Sequence, residues 1–208
     1  MSFEIKEITN RIKYIMPTTD PCSSNVVIVE GDEYIWLYDV GRREDTLEYL
    51  NSFDKPVNVV LSHFHGDHVE NYDKVNWLEL YQGKRTFDYT QTGIIIENET
   101  FLGDGLEMRL LPFSSPHAKG TIALEVAGDY LFIGDGTYPA RKEDYRYYNV
   151  GKLKEVIDFL SGQQAKYVLL SHHEPFLQTR ENIISKLKKI YDRREKGNPH
   201  IPVELNSR

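Results

Sequence analysis

The sequence is poor in cysteine, with one in 208 residues, Cys22. A lone thiol closes no internal disulfide, so the chain reads as one for a reducing compartment. No favourable nucleophile context surrounds Cys22, which reads as a small semi-buried residue. No apolar run approaches the roughly 20 residues needed to cross a bilayer. The stretch from Met1 to Arg11 is polar and mixed in charge, without the apolar centre of a secretory leader. The expectation is a cytoplasmic protein with no membrane contact. Gly/Ser linkers, low-complexity tracts and short repeats are also missing. Residues 1–208 therefore read as a single domain, long enough for a sizeable core. Positive charge is in deficit, with 25 Lys and Arg against 32 Asp and Glu, a net charge of -7 and a pI of about 5.5. That balance argues against a nonspecific nucleic-acid surface, which depends on excess cation. The expected partner is a small-molecule substrate. Oligomeric state stays open, although fourteen tyrosines offer material for an interface.

What is present is strand-like patterning in both halves. Phe3 to Ile8 and Ile12 to Ile15 alternate apolar and polar residues. Asn25 to Glu30 and Tyr34 to Val40 are apolar, β-branched and aromatic, with Gly31-Asp32 between them as a hairpin turn. Arg42 to Phe53 reads as a helix with Leu47, Leu50 and Phe53 on one face. Val57 to Leu61 reads as a short buried strand. Strands continue at Ile94 to Ile96, Leu106 to Leu111, Ile122 to Ala127, Tyr130 to Ile133 and Lys166 to Leu170. Turns at Gly103-Asp104-Gly105 and Gly128-Asp129 separate them. Val150 to Leu160 and Arg180 to Arg194 read as helices. Each strand run ends in a helix, an order that two packed sheets with helices on their outer faces would satisfy, an α/β (α+β) class.

Three of the seven histidines fall between positions 63 and 68, in His63-Phe64-His65-Gly66-Asp67-His68, directly after the Val57 strand. Imidazole is a common ligand for zinc and related metals. His63 and His65, two apart after a strand, can turn towards one point, and Gly66 lets the chain bend tightly. Asp67 and His68 are adjacent, so their side chains diverge towards a second point. A run of ligands with two aims fits two ions better than one.

These residues resemble the His-x-His-x-Asp-His signature of the metallo-β-lactamase superfamily, including its glyoxalase II-like and general metallo-hydrolase branches. The resemblance runs through nearly the whole chain. Asp39-Val40-Gly41 is similar to the family's Asp-x-Gly before the first helix. Ser115-Pro116-His117 with Gly120-Thr121 is similar to the segment of the third histidine. Leu131 to Asp135 is similar to the strand that carries a bridging aspartate, and Leu169 to His172 to the final strand with its histidine. The resemblance implies a four-layer αββα sandwich. It implies that His63, His65 and His117 hold one metal, that Asp67, His68 and His172 hold another, and that Asp135 bridges them. Zinc is the default ion, with iron, manganese, nickel and cobalt also suited to such ligands. Between His172 and His173, the family's usual His-Gly pair aligns His172 with the ligand. Of two Gly-Asp-Gly segments, the one around Asp104 precedes a strand and reads as a turn, which leaves Asp135.

The chain departs from the pattern in places. Pro116-His117-Ala118-Lys119-Gly120 replaces the commoner His-Thr-Pro-Gly, and Glu70-Asn71 replaces small residues. Those departures bear on substrate rather than on the ligands. The implied chemistry is hydrolysis of a small ester, thioester or lactone by a hydroxide held between two ions, which lower the pKa of a shared water from about 15.7 to about 7. Two divalent ions, Asp67, Asp135 and hydroxide leave the pocket at a charge of about +1. Asp67 is the candidate for orienting the nucleophile and passing on its proton. The aromatic and cationic stretch from Tyr138 to Tyr148 is the candidate pocket wall. Tyr138, Arg141, Lys142, Lys119 and His173 are candidate substrate contacts. Alternative readings are a phosphodiesterase or nuclease of the same fold, a mononuclear iron persulfide dioxygenase, and a non-catalytic metal-binding module.

Overall fold

In a computed structural model of the protein, residues 3–142 and 145–203 are described. Met1 and Ser2 of the N-terminal stretch, and Glu143 and Asp144 of the expected pocket wall, lie outside them. The first half holds β1 (Ile5–Glu7), β2 (Ile12–Ile15), β3 (Thr18–Thr19), β4 (Cys22–Ser23), β5 (Val26–Glu30), β6 (Ile35–Tyr38), β7 (Val57–Leu61), β8 (Trp77–Gln82) and β9 (Ile94–Ile95). Its helices are short: α1 (Leu47–Leu50), α2 (Gly66–Val69) and α3 (Lys84–Thr90). The second half holds β10 (Thr100–Gly103), β11 (Glu107–Phe113), β12 (Thr121–Val126), β13 (Tyr130–Phe132), β14 (Ala140–Lys142), β15 (Tyr145–Asn149), β16 (Tyr167–Leu169), β17 (Leu177–Thr179) and β18 (His200–Val203). It also holds the helices α4 (Val150–Gly162) and α5 (Arg180–Tyr191).

Two large sheets form. One has the order β1-β2-β5-β6-β7-β8-β9, the other β10-β11-β12-β13-β16-β17. Strand alternation explains why they pack face to face. In β5, Val27 and Val29 join a core between the sheets with Trp36, Tyr38, Leu110, Leu124 and Phe132. Val26 and Ile28, on the opposite face, join an outer core with Leu37, Leu50 and Val69. The second sheet has an outer core of its own. Leu153, Val156, Ile157 and Leu160 of α4 repeat at helical spacing and cover Leu131, Ile133 and Val168. Asn149 caps α4, its side chain accepting from Lys152 N at 3.0 Å. Helix, sheet, sheet and helix make the four layers of the expected sandwich.

Several elements differ from the sequence reading. The expected helix over 42–53 contracts to a 3-10 turn, Glu44–Thr46, and one α-turn. Arg43 is held by Asp45, and the Thr46 hydroxyl donates to Arg43 O at 2.8 Å, a local bond that competes with the helical ladder. Leu47 and Phe53 still pack on the sheet. The pair β8 and α3 was not expected, because β8 passes from exposed to buried along its length and loses its two-residue period. The expected pocket wall contains a hairpin, β14 with β15, which β18 extends into a small third sheet.

The parallel pairings place the site. β6, β7 and β8 run parallel, as do β13 and β16. Their C-terminal ends collect the segments that follow them, which begin at Asp39, Ser62, Ile133 and Leu170. Ile122 N donates to Ser62 O at 2.9 Å and joins the two sheets at this end.

Candidate metal centre

Every residue of β7 is buried, and the strand delivers Ser62 and His63 to the end of the sandwich. Asp39 follows β6, fully buried, with a φ of 60°. Its Oδ1 accepts from Ser62 N at 2.7 Å. Its Oδ2 accepts from the Ser62 hydroxyl at 2.8 Å and faces His68 Nδ1 at 2.7 Å. The serine proton goes to Asp39, so Ser62 Oγ accepts from His63 Nδ1, 2.9 Å away. His117 Nδ1 lies 3.3 Å from Pro139 O, which can only accept. His63, His68 and His117 therefore carry their protons outward and turn Nε2 lone pairs inward. Gly134 makes this assembly compact. Its φ is +54°, and a Cβ there would stand 2.6 Å from Ser62 Oγ. The end of β13 thus lies directly against Ser62, which brings Asp135 over the histidines. His172 is fixed by a φ of 59° and by its amide, which donates to Asn25 Oδ1 at 3.0 Å.

Two groups of ligand atoms result, His63 with His65 and His117, and Asp67 with His68, Asp135 and His172. His65 Nδ1 is 3.0 Å from both His63 Nε2 and His117 Nε2. In the second group, His172 Nε2 is 3.0 Å from Asp67 Oδ2, and His68 Nε2 is 3.7 Å from Asp67 Oδ2 and 3.4 Å from Asp135 Oδ1. Asp135 Oδ2 faces the first group, 3.4 Å from His117 Nε2. A tetrahedral ion with metal–nitrogen bonds of roughly 2.0–2.1 Å spaces its ligands about 3.3 Å apart. The His65 pairs of the first group, at 3.0 Å, and the pairs of the second group, at 3.0–3.9 Å, lie on either side of that spacing. Moreover, His68 Nε2, Asp135 Oδ1 and His172 Nε2 are buried and make no hydrogen bond despite their closeness. Convergent polar atoms left without partners in this way fit a cation at the point they share. Each group therefore has the chemistry to hold a metal ion, and one oxygen of Asp135 is turned to each group.

The electrostatics differ between the two groups. Burial and the neighbouring imidazoles push the His63 pKa well below its ordinary value. Burial lowers those of His65 and His117 as well, so these three stay neutral and able to coordinate. Burial opposes charge on His68 too, but the carboxylates of Asp135 and Asp39 override it and raise its pKa well above the usual value. Burial likewise works against ionised Asp67 and Asp135. The imidazoles around them outweigh it and hold both below the usual carboxylate range. His68 forms the floor, fully buried, while the Asp67 and His172 side chains are each 22% exposed and leave the cluster open on their side.

The remaining candidates are dispersed. Tyr138 follows Asp135 closely, its ring centroid 6.2 Å from that of His117 and its hydroxyl donating to Ser171 O at 2.7 Å. Arg141 and Lys142 are exposed on β14. Lys119 is exposed beside His117. His173 is not drawn into either group; its Nδ1 is 3.1 Å from Gln178 Nε2 on β17. Cys22, expected to be semi-buried, is exposed, because the β3–β4 hairpin carries it to the rim of the cluster, 3.8 Å from Asp67 Oδ2. The linking roles of Asp39 and Ser62 carry no mark in the sequence beyond the Asp39-Val40-Gly41 resemblance.

No family model matches the sequence, and no curated protein matches it. Solved structures do. A metallo-beta-lactamase from Pontibacter korlensis superposes with a TM-score of 0.68 at 15% identity, over 93% of this chain and 100% of that one. A flavo di-iron protein variant from Thermotoga maritima gives 0.68 at 11% identity, over 94% of this chain, which spans 63% of that protein. An archaeal metallo-beta-lactamase superfamily protein from Sulfolobus tokodaii gives 0.60 at 18% identity, over 91% and 90% of the two chains. Over more than nine tenths of its described length, this chain has the fold of the metallo-β-lactamase superfamily.

Proposed function

We propose that the protein is a metal-dependent hydrolase of a small ester, thioester or lactone. The observation that carries this reading is the split of Asp135, one oxygen 3.4 Å from His117 Nε2 and the other 3.4 Å from His68 Nε2. A carboxylate so placed serves two ligand groups at once. Two divalent ions held there, zinc by default, would polarise the electrophile and activate water. The chain's own residues do the rest. His63, His65 and His117 hold the first position, and Asp67, His68 and His172 the second. Asp39, through His68 and Ser62, fixes their tautomers. Asp67, at the open edge, receives and passes on the proton of the attacking water. Tyr138 and the β14–β15 hairpin wall the pocket beside His117. A complete second ligand group speaks against a single-iron dioxygenase, for which one group would suffice.

A panel of thioesters, lactones, β-lactams and phosphodiesters, assayed with the metal-replete protein and its His65→Ala variant, tests the reading. The expected result is turnover of an ester, thioester or lactone that disappears in the variant. Full activity in His65→Ala, or turnover of phosphodiesters alone, would overturn it.

A further inference from the structure

The β3–β4 hairpin forms a small sheet apart from the two large ones. It carries the single thiol of the chain to the second ligand group. Thr18 Oγ1 donates to Pro21 O at 2.6 Å and closes the hairpin turn. The residues just beyond the hairpin are tied to the ligands. Ser24 N donates to the backbone oxygen of Asp67 at 2.8 Å, and Asn25 Oδ1 accepts from His172 N at 3.0 Å. Cys22, two residues before Ser24, is thereby held against the loop that presents Asp67. Its Sγ, a weak donor, faces Asp67 Oδ2 at 3.8 Å.

That oxygen is shared by the second group. It lies 3.0 Å from His172 Nε2 and 3.7 Å from His68 Nε2. A second observation points to a cation at the same place. His68 Nε2 and Asp135 Oδ1 belong to side chains that are 0% and 9% exposed, they converge to 3.4 Å, and neither makes a hydrogen bond. Sγ stands outside this four-atom group, on the face where Asp67 and His172 are open. Cys22 is exposed, so its side chain can turn onto that face. A zinc–sulfur bond of about 2.3 Å and a zinc–oxygen bond of about 2.0–2.2 Å, at a tetrahedral angle, put sulfur and oxygen about 3.5–3.7 Å apart. The thiol and Asp67 Oδ2 are already close to that separation.

We propose that Cys22 is a further ligand of the second ion, closing the open face of that group as a thiolate. The proposal rests on the two-ion reading of the cluster and not on hydrolysis. On binding, the S–H bond breaks, an S–metal bond forms, and one proton leaves to solvent for each ion so held. A thiolate also changes what the second position selects. Imidazole and carboxylate alone accept hard and borderline ions, whereas sulfur favours softer ones such as zinc and cadmium over manganese.

The test is a cobalt(II) titration of metal-stripped full-length protein and its Cys22→Ser variant, followed by absorption, with bound cobalt counted by elemental analysis. The wild type should develop an intense near-ultraviolet band of sulfur-to-cobalt charge transfer. Cys22 is the one cysteine in the chain, so a thiolate band has one source. Cys22→Ser should lose the band while keeping two cobalt ions and their visible d–d absorption. Its affinity for the weaker of two cadmium ions should fall by about tenfold. Two bound cobalt ions without the band, the same band in Cys22→Ser, or an unmoved cadmium affinity would each overturn the proposal and leave the two-ion reading standing. A protein that binds no cobalt overturns both.

Discussion

Asp39 is the residue on which the candidate centre turns. Its two oxygens reach Ser62 and His68, and through Ser62 it sets His63. Asp39→Asn replaces an acceptor with a donor towards His68 Nδ1, which favours the wrong tautomer. Outer-shell partners of this kind typically govern about 10–100-fold in metal affinity. Zinc affinity of Asp39→Asn, measured by competition with a chromophoric chelator, should fall by that order, and unchanged affinity would contradict the role. The ligand candidates themselves were legible in sequence because four of them sit in six consecutive residues after an apolar strand. Asp39's role was not legible. It lies 29 residues from His68, and the parallel pairing of Tyr38 with Val60, together with the Val40 and Gly41 amides that donate to His68 O, brings the two together. The choice between His172 and His173 was likewise open to residue patterning, and the backbone turn at His172, held by Asn25, decides which ring faces the cluster.

At the scale of elements, close backbone approach matters more than helix or strand content. Gly134 sits in the left-handed region against Ser62. Gly134→Ala should cost about 1–3 kcal/mol from backbone strain, seen as a lower Tm. It should also weaken zinc binding, because the clash falls on Ser62, whose hydroxyl holds His63. A variant with unchanged Tm would show that the contact yields freely. The stretch that forms the β14–β15 hairpin was read from sequence as a candidate pocket wall with no strand assigned, because its aromatic and cationic residues have no single apolar face; pairing with β18 supplies the order. If the wall contacts substrate, Arg141→Ala and Lys142→Ala each raise KM with little change in kcat, and steady-state kinetics unchanged in both would remove it from the site. β8 and α3 escaped the sequence reading for a related reason. Burial changes along β8, so no two-residue period survives there, and the buried positions of α3, Thr86 and Thr90, are threonines that leave no apolar stripe.

On the whole-molecule scale, the sandwich exists to bring ligands from four connections to one end. Phe132 shows the coupling. It is buried between the sheets in the strand that precedes Asp135. Phe132→Ala should cost about 3–5 kcal/mol, measured by chemical denaturation, and a loss below 1 kcal/mol would mean the two sheets do not share a core there. The layer order was readable from strand runs that each end in a helix. The sheet orders were not, since they depend on crossovers that patterning does not record. The central claim is that the two ligand groups at the end of this sandwich hold two ions. Zinc titration of the metal-stripped protein, with bound metal counted by elemental analysis after desalting, tests it most directly. The account predicts a plateau of two ions per chain, one for each ligand group; a plateau at one ion, or none, would contradict it.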